Sequence, residues 1–339
     1  MSQTAIAKDK PDWAGEDWLS RLVNLLIKTK PLYSLMKLQA RQVLIKTAEK
    51  NGIPWRQTVK DFDQAQADQY FQEIADPALE YPDYYNVPFH AYDAGNLCWK
   101  AAFEAAPATE SMALRVWKNE PLTPDVAQAR LRNTFLEVMA DYLPENVNDV
   151  LDIGCSVGIS TVALHEFLQG RSPDVKTIGF DLSPYMLAVA KIRNPESSIR
   201  WQHGKAEATG FADNSFDVIT LQFVLHELPN QATQEIFQEC LRILRPGGCL
   251  AIVDNNPKSP VIQSLPPALF VLMKSTEPWS DEYYTFDVED NLKQSGFNYL
   301  TTVPSDPRHR TIIARKPLEH PENENCDRPV KPYYRRFRG

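Results

Sequence analysis

Cysteine, long apolar runs and excess positive charge are all scarce in this chain of 339 residues. Its five cysteines, Cys98, Cys155, Cys240, Cys249 and Cys326, are scattered, with no CxxC and no Cys/His ligand spacing. Neither a disulfide framework nor a zinc site is expected, no metal is expected, and a reducing compartment fits. No apolar run reaches the roughly 20 residues that a membrane-spanning helix needs. Lys8, Asp9 and Lys10 stand where a signal peptide would need its apolar centre, so the chain reads as untargeted and cytoplasmic. A formal net charge of −8 argues against general nucleic-acid binding. Internal repeats and low-complexity tracts are also lacking.

What charge there is lies unevenly. Arg21, Lys28, Lys30, Lys37, Arg41, Lys46, Lys50, Arg56 and Lys60 fall between Trp18 and Lys60, where Glu49 is the only acid. Three readings of this stretch stand open: a solvated face, a peripheral contact with an anionic membrane surface, or a surface for an acidic partner, including the acidic body of the same chain.

Three regions are expected. Residues 1–125 form a largely helical extension or cap, with Leu19, Leu22, Val23 and Leu26 at helical spacing and Asn51-Gly52 and Pro54 ending the next helix. A short helix is expected within Asp61–Ala75. The aromatic stretch Tyr81–Tyr92, broken by Pro82 and Pro88, is too irregular for one element. Residues 126–317 form an α/β domain. Thr123-Pro124-Asp125 opens its first helix with a cap and a proline, and Leu131, Phe135, Val138, Met139 and Tyr142 give that helix an apolar face. Strands are expected at Asp149–Ile153, Thr177–Phe180, Ile199–His203, Phe216–Leu221 and Cys249–Val253, with helices beginning near Gly158, Pro184, Gln231 and Val288. This alternation implies a parallel sheet covered by helices. Tyr299–Val303 and Arg310–Ala314 read as an antiparallel hairpin on its edge. Residues 318–339, with Lys331, Arg335, Arg336 and Arg338, read as a flexible basic tail.

The chemistry is concentrated in Val150-Leu151-Asp152-Ile153-Gly154-Cys155-Ser156-Val157-Gly158 and in the acid Asp181 that ends the next strand. A strand, a glycine turn and a helix, followed by an acid at this distance, bind a nucleoside cofactor. Gly154 lets the chain turn sharply, and Gly158 lets the helix approach. A nicotinamide enzyme usually shows GxGxxG for a pyrophosphate, whereas here Gly154 and Gly158 bracket Ser156. Asp152 can accept a bond from an ammonium. A ligand end with carboxylate and ammonium, such as the methionine end of S-adenosylmethionine, suits the turn better. The Asp181 carboxylate can take two ribose hydroxyls, while Ser183 is the natural cap of the Pro184 helix.

LDIGCSVG, GFDLSP, GKAEATGFADNSFDVIT and LRILRPGG together resemble the successive motifs of class I S-adenosylmethionine-dependent methyltransferases, nearest to the UbiE/COQ5-like, methyltransferase type 11, small-molecule group. The resemblance covers residues 130–316. It implies a Rossmann-like, seven-stranded, mostly parallel sheet with an antiparallel last strand. It also implies that Asp152, Gly154, Cys155 and Gly158 surround the methionine moiety and that Asp181 holds the ribose. Leu182, Met186, Ala206 and Glu207 would lie near the adenine, with Gln222 and Phe223 beneath the sulfonium. Two positions depart from the family pattern. Ser156 replaces a glycine, and Lys205 replaces the aspartate that accepts from the adenine amino group, a role left to Glu207 or to the backbone at Ala206.

The acceptor is expected to be a small hydrophobic or aromatic molecule, of quinone, phenol or lipid type. A protein substrate and a non-catalytic cofactor-binding module remain as alternatives. His226, just after the fourth strand, is the candidate general base. Tyr85, His90 and Tyr92 of the aromatic stretch, with Asn255, are candidate acceptor contacts. A largely apolar helix through Val261, Ile262, Leu265, Leu269, Phe270, Leu272 and Met273 is expected after the fifth strand. The (D/N)PP(Y/F) turn of nucleobase methylation is absent, since that position reads Leu221-Gln222-Phe223-Val224.

Overall fold

The computed structural model describes residues 18–267, 271 and 275–318, with side chains at all of these except 30–37. The expected tail therefore lies outside the described residues, apart from Leu318.

Seven strands form one sheet in the order β3-β2-β1-β4-β5-β7-β6. They are β1 (Asp149–Ile153), β2 (Lys176–Asp181), β3 (Arg200–His203), β4 (Phe216–Gln222), β5 (Leu244–Asn255), β6 (Asn298–Pro304) and β7 (His309–Arg315). The first five run parallel, and β7 pairs antiparallel with both β5 and β6. Strand β4 is buried at every position, because helices cover both faces of a parallel sheet and each side chain alternates between two dry layers. Strand β5 begins earlier than its apolar run suggests. Leu244 pairs with Phe216 across an irregularity in the ladder, before Gly247 turns the chain into the run from Cys249.

Helices α6 (Pro124–Ala140), α7 (Ile159–Gln169), α8 (Pro184–Arg193) and α9 (Asn230–Ile243) flank this sheet. Thr123 occupies the cap position of α6 but makes no side-chain cap hydrogen bond, whereas Ser183 caps α8 by accepting from Met186 N. The apolar helix expected after β5 is interrupted, with helix again at Pro267 and Val271. Here α10 spans only Pro260–Gln263, and Pro266-Pro267 cannot continue it. Leu269, Phe270, Leu272 and Met273 lie outside the described residues.

The extension contributes α1 (Trp18–Lys28), α2 (Lys30–Lys50), α3 (Trp55–Lys60), α4 (Gln64–Ile74) and α5 (Trp99–Val116). Aromatic contacts weld it to the α/β layer. Phe71 of α4 meets Tyr185 at 4.7 Å and Trp99 at 5.8 Å, while Phe62 stacks on Phe103 at 4.5 Å. At the sheet edge, Asp76 N donates to His203 Nδ1 at 2.9 Å. The basic stretch is partly neutralised within the chain, since Arg41 pairs with buried Glu104 and Arg56 with Glu49.

Trp201 on β3 explains two glycines. A Cβ on Gly158 or on Gly179 would stand 2.5 Å from its indole. Gly158 also has a φ of +82°. Gly158→Ala combines a left-handed alanine, at about 1–2 kcal/mol, with overpacking of about 1–3 kcal/mol. A fall of about 2–5 kcal/mol in unfolding free energy is expected by urea titration, and an unchanged midpoint would contradict this account of the turn.

Candidate active site

Strands β1, β2 and β4 end at the same edge of the sheet, where open α/β sheets bind ligands. Their exit loops, α5, α6 and the Tyr84–Tyr92 segment enclose a cavity of about 700 Å³. This segment is built from a single 3₁₀ turn, Asp83–Tyr85, and a tight bridge between Phe89 and Tyr92. His90 and Ala91 at its tip have φ of 47° and 67°, and His90 N is held by Thr276 O at 2.8 Å. Side chains of α2, among them Arg41 and Leu44, complete the wall, so the extension roofs the cavity.

The β1–α7 turn carries left-handed residues at Gly154, Ser156 and Gly158. Ser156 adopts φ 49° while its amide donates to Asp181 Oδ2 at 2.7 Å, a bond that offsets the strain of a side chain in that region. Asp181 Oδ1 accepts from Ser183 N at 2.8 Å. Burial raises the Asp181 carboxyl to about 6 against the pull of these amides.

Of the residues singled out from sequence, Gly154, Cys155, Asp181, Leu182, Met186, Ala206, Glu207, Gln222 and Phe223 line the cavity. So do His226, Tyr85, His90, Tyr92 and Asn255. Asp152 and Gly158 do not. Asp152 is 1% exposed and accepts from Thr161 Oγ1 at 2.6 Å, Thr220 Oγ1 at 2.5 Å and Gln222 Nε2 at 3.2 Å. These three bonds fasten α7 and β4 to β1, and Asp152 stands behind the cavity wall. Gly158 acts through the backbone and its fit to Trp201. Burial pushes the Cys155 thiol far up, which keeps it protonated and inert as a nucleophile. Lys205 is not part of the cavity wall; its backbone bridges to Ala208.

Three residues of this wall carry buried polar atoms without partners: Trp55, through its indole Nε1, Glu207 and Arg132. Glu207 accepts from Tyr84 Oη at 2.6 Å through Oε1, and its Oε2 is buried without a hydrogen bond. Arg132, from α6, is 5% exposed, and its Nε and Nη1 are unpartnered. Its guanidinium lies 5.2 Å from the Phe223 ring, whose other neighbour is the His309 ring at 5.1 Å. Glu207 follows the edge strand β3 and Phe223 follows the central strand β4, so the orphaned carboxylate oxygen and the orphaned guanidinium lie beside strands three apart in the sheet order. A ligand with a donor-rich edge at one end and a carboxylate at the other satisfies both. Asp181 and Glu277 line the wall as well, which favours a cationic centre.

His226 belongs to a buried dyad. Asp254 Oδ1 lies 2.7 Å from His226 Nδ1, and His226 N donates to Asp254 Oδ2 at 3.2 Å. Burial alone lowers the imidazole, but the Asp254 carboxylate outweighs it and holds His226 at about 9. With Nδ1 turned to Asp254, Nε2 is the ring nitrogen left for a ligand. Burial, reinforced by Glu277 and Asp181, raises the neighbouring Glu227 to about 8 despite His226. Burial lowers His90 to about 4, and its Nε2 stands 3.8 Å from Glu227.

Asp254, Arg132 and Glu227 were not singled out individually as functional residues. Asp254 and Asn255 end β5, Asn255 lines the cavity, and Asn256 Oδ1 accepts from Lys258 N at 3.0 Å in an Asx turn.

The family described as a methyltransferase domain matches residues 151–252. Demethylmenaquinone methyltransferase of Chlorobaculum parvum is 31% identical over 172 residues, covering 46% of this chain and 68% of that protein. An uncharacterized methyltransferase of Synechocystis is 32% identical over 152 residues, covering 44% and 67%. Among solved structures, a SAM-dependent methyltransferase from Aquifex aeolicus is similar with a TM-score of 0.45 and 17% identity, over 60% of this chain and 98% of that one. Sheet order, glycine turn, the matching family and the sequence relatives converge: the chain belongs to the class I S-adenosylmethionine-dependent methyltransferases, in the UbiE/COQ5-like, methyltransferase type 11 group.

Proposed function

We propose that this methyltransferase acts on a hydroxylated aromatic small molecule of quinol or phenol type, with His226 as the general base. The observation that carries this reading is the buried His226–Asp254 dyad opening into a cavity whose wall includes Tyr84, Tyr85, Tyr92 and Phe223. The name of the Chlorobaculum relative supports it.

The residues present fit the cofactor. Asp181 would accept the ribose hydroxyls, Glu207 Oε2 the adenine amino group, and Arg132 would pair with the methionine carboxylate. Glu207 thereby takes the role that Lys205 cannot fill. When bound, S-adenosylmethionine supplies an activated sulfonium methyl. The protein does the rest by positioning and proton handling. Phe223, held in a left-handed conformation with φ 62° by Phe223 N donating to Val253 O at 2.8 Å, presents its ring to the acceptor side. Tyr85 and Tyr92 close the roof and exclude water. His226 Nε2 takes the acceptor's hydroxyl proton, and Asp254 keeps the imidazole in that orientation. Fixing the acceptor in line contributes about 7–11 kcal/mol.

The test is incubation with methyl-labelled S-adenosylmethionine and an extract of the source cell, followed by partition of the products. Label in an organic-soluble aromatic compound supports the reading. Label in protein overturns it and favours recognition through the helical extension.

A second element of the reading concerns the membrane. No helix among the described residues is long and apolar enough to cross one. Helix α1, however, leaves Trp18 76% and Leu25 62% exposed, with Leu22 exposed beside them and Arg21 and Lys28 on the same helix. We propose that α1 rests on an anionic bilayer, from which a lipophilic acceptor is drawn. Sedimentation with phosphatidylglycerol vesicles is expected to fall by about tenfold for Trp18→Ala/Leu25→Ala and to weaken with salt. Equal binding to neutral vesicles would remove the anionic preference, and no binding would remove the membrane from the account.

A further inference from the structure

The cavity extends past Phe223, on the side away from Asp181, to two arginines the cofactor reading does not use. Arg115 comes from α5, and Arg308 from the turn between β6 and β7. Arg308 is oriented by its Nε, which donates to Asn255 Oδ1 at 2.8 Å, and its carbonyl accepts from Asn256 N at 2.9 Å. Arg115 shares its stretch of wall with Ser111 and Met112. Among the described residues no carboxylate pairs with either guanidinium. The carboxylates of this cavity, Asp181, Glu207, Glu227 and Glu277, are elsewhere engaged or gathered around His90 and the β2 and β3 exits. Arg41, also in the wall, is already neutralised by Glu104. Arg115 is exposed at the rim of the cavity, and partial desolvation together with the charge of Arg308 pushes it down, so the two like charges are near enough to repel. Arg132, by contrast, lies under the Phe223 ring and is claimed by the cofactor's carboxylate in the reading above.

We propose that Arg115 and Arg308 form a carboxylate subsite, so that the acceptor is a hydroxylated aromatic acid. Its ring packs on Phe223, its hydroxyl meets His226, and its carboxylate lies between the two guanidinium groups. The proposal rests on the assignment of the His226 side of the cavity to the acceptor. It adds to a general aromatic preference the requirement for an anionic group. Two charge-assisted donors that relieve a like-charge contact give discrimination against a neutral analogue of about tenfold or more.

The test uses the full chain saturated with S-adenosylhomocysteine and titrated calorimetrically with 3,4-dihydroxybenzoate and with catechol. The acid is expected to bind at least about tenfold more tightly than catechol. Arg115→Gln/Arg308→Gln is expected to reduce that preference below about threefold while leaving catechol and S-adenosylhomocysteine affinities unchanged. Equal binding of the two probes overturns the subsite, as does binding of neither or a preference that survives in the double variant. Failure of the wild-type chain to bind S-adenosylhomocysteine would instead strike the cofactor reading, so the two failures are distinguishable.

Discussion

Asp181→Ala is expected to weaken S-adenosylhomocysteine binding by about 100- to 10,000-fold. A carboxylate that accepts two ribose hydroxyls makes two charge-assisted hydrogen bonds, each worth about 1.5–3 kcal/mol net, and about 1.4 kcal/mol is a factor of ten. Asp181 also accepts from Ser156 N at 2.7 Å and Ser183 N at 2.8 Å. Its loss therefore releases the left-handed Ser156 as well, and the turn that presents free amides to the ligand loses its anchor. Some loss of stability will accompany the loss of affinity, so each titration needs a parallel thermal melt. Asp181→Asn separates the two effects. Its amide oxygen can still accept from one backbone N–H, but its NH₂ group offers a donor where the second N–H and a ribose hydroxyl both need an acceptor. Calorimetric titration of both variants decides the matter. An affinity within about threefold of the parent in either variant would remove Asp181 from the ribose site.

Much of the frame was legible because it rests on local rules. Alternating apolar runs and helices located the strands of the parallel sheet, and Ser183-Pro184 marked the start of α8 through its cap and its preset φ. Asp181 was legible because its distance from the glycine turn is set by one βαβ unit. Contacts between distant segments were not. Arg132 sits in a helix whose apolar face dominates the pattern. Only the fold reveals that its guanidinium lies under Phe223, 91 residues on. Asp152 shows the same limit from the other side. Its place before the glycine turn suggests a ligand contact, yet Thr220 and Gln222 come from β4 to use its oxygens, and a partner on a neighbouring strand leaves no trace in local spacing. The apolar run after β5 read as one helix because hydrophobic periodicity outweighed Pro266-Pro267, which end any helix that precedes them.

His226→Gln is expected to lower kcat by about 100- to 10,000-fold with S-adenosylhomocysteine affinity unchanged. Glutamine retains a polar atom near Nε2 and much of the volume, but it cannot take a proton. For the parent protein the form that acts as base is neutral His226. Because Asp254 holds the imidazolium at about 9, kcat is expected to rise with pH by about tenfold per unit and to level near that value. Asp254→Asn removes the charge that opposes burial, so the inflection is expected to move down in pH, with a lower plateau from lost orientation. A role for Asp254 in folding alone would lower stability without moving the inflection. The sign of the stability linkage sets the usable window. His226 is raised in the folded state, so its contribution to stability is full below its ordinary value of 6.5 and is lost as pH rises through about 9. Profiles must therefore be paired with melts at their alkaline end. A flat profile between pH 6 and about 9, or a His226→Gln variant with undiminished kcat, would leave positioning alone to account for the chemistry and would take the base out of the mechanism.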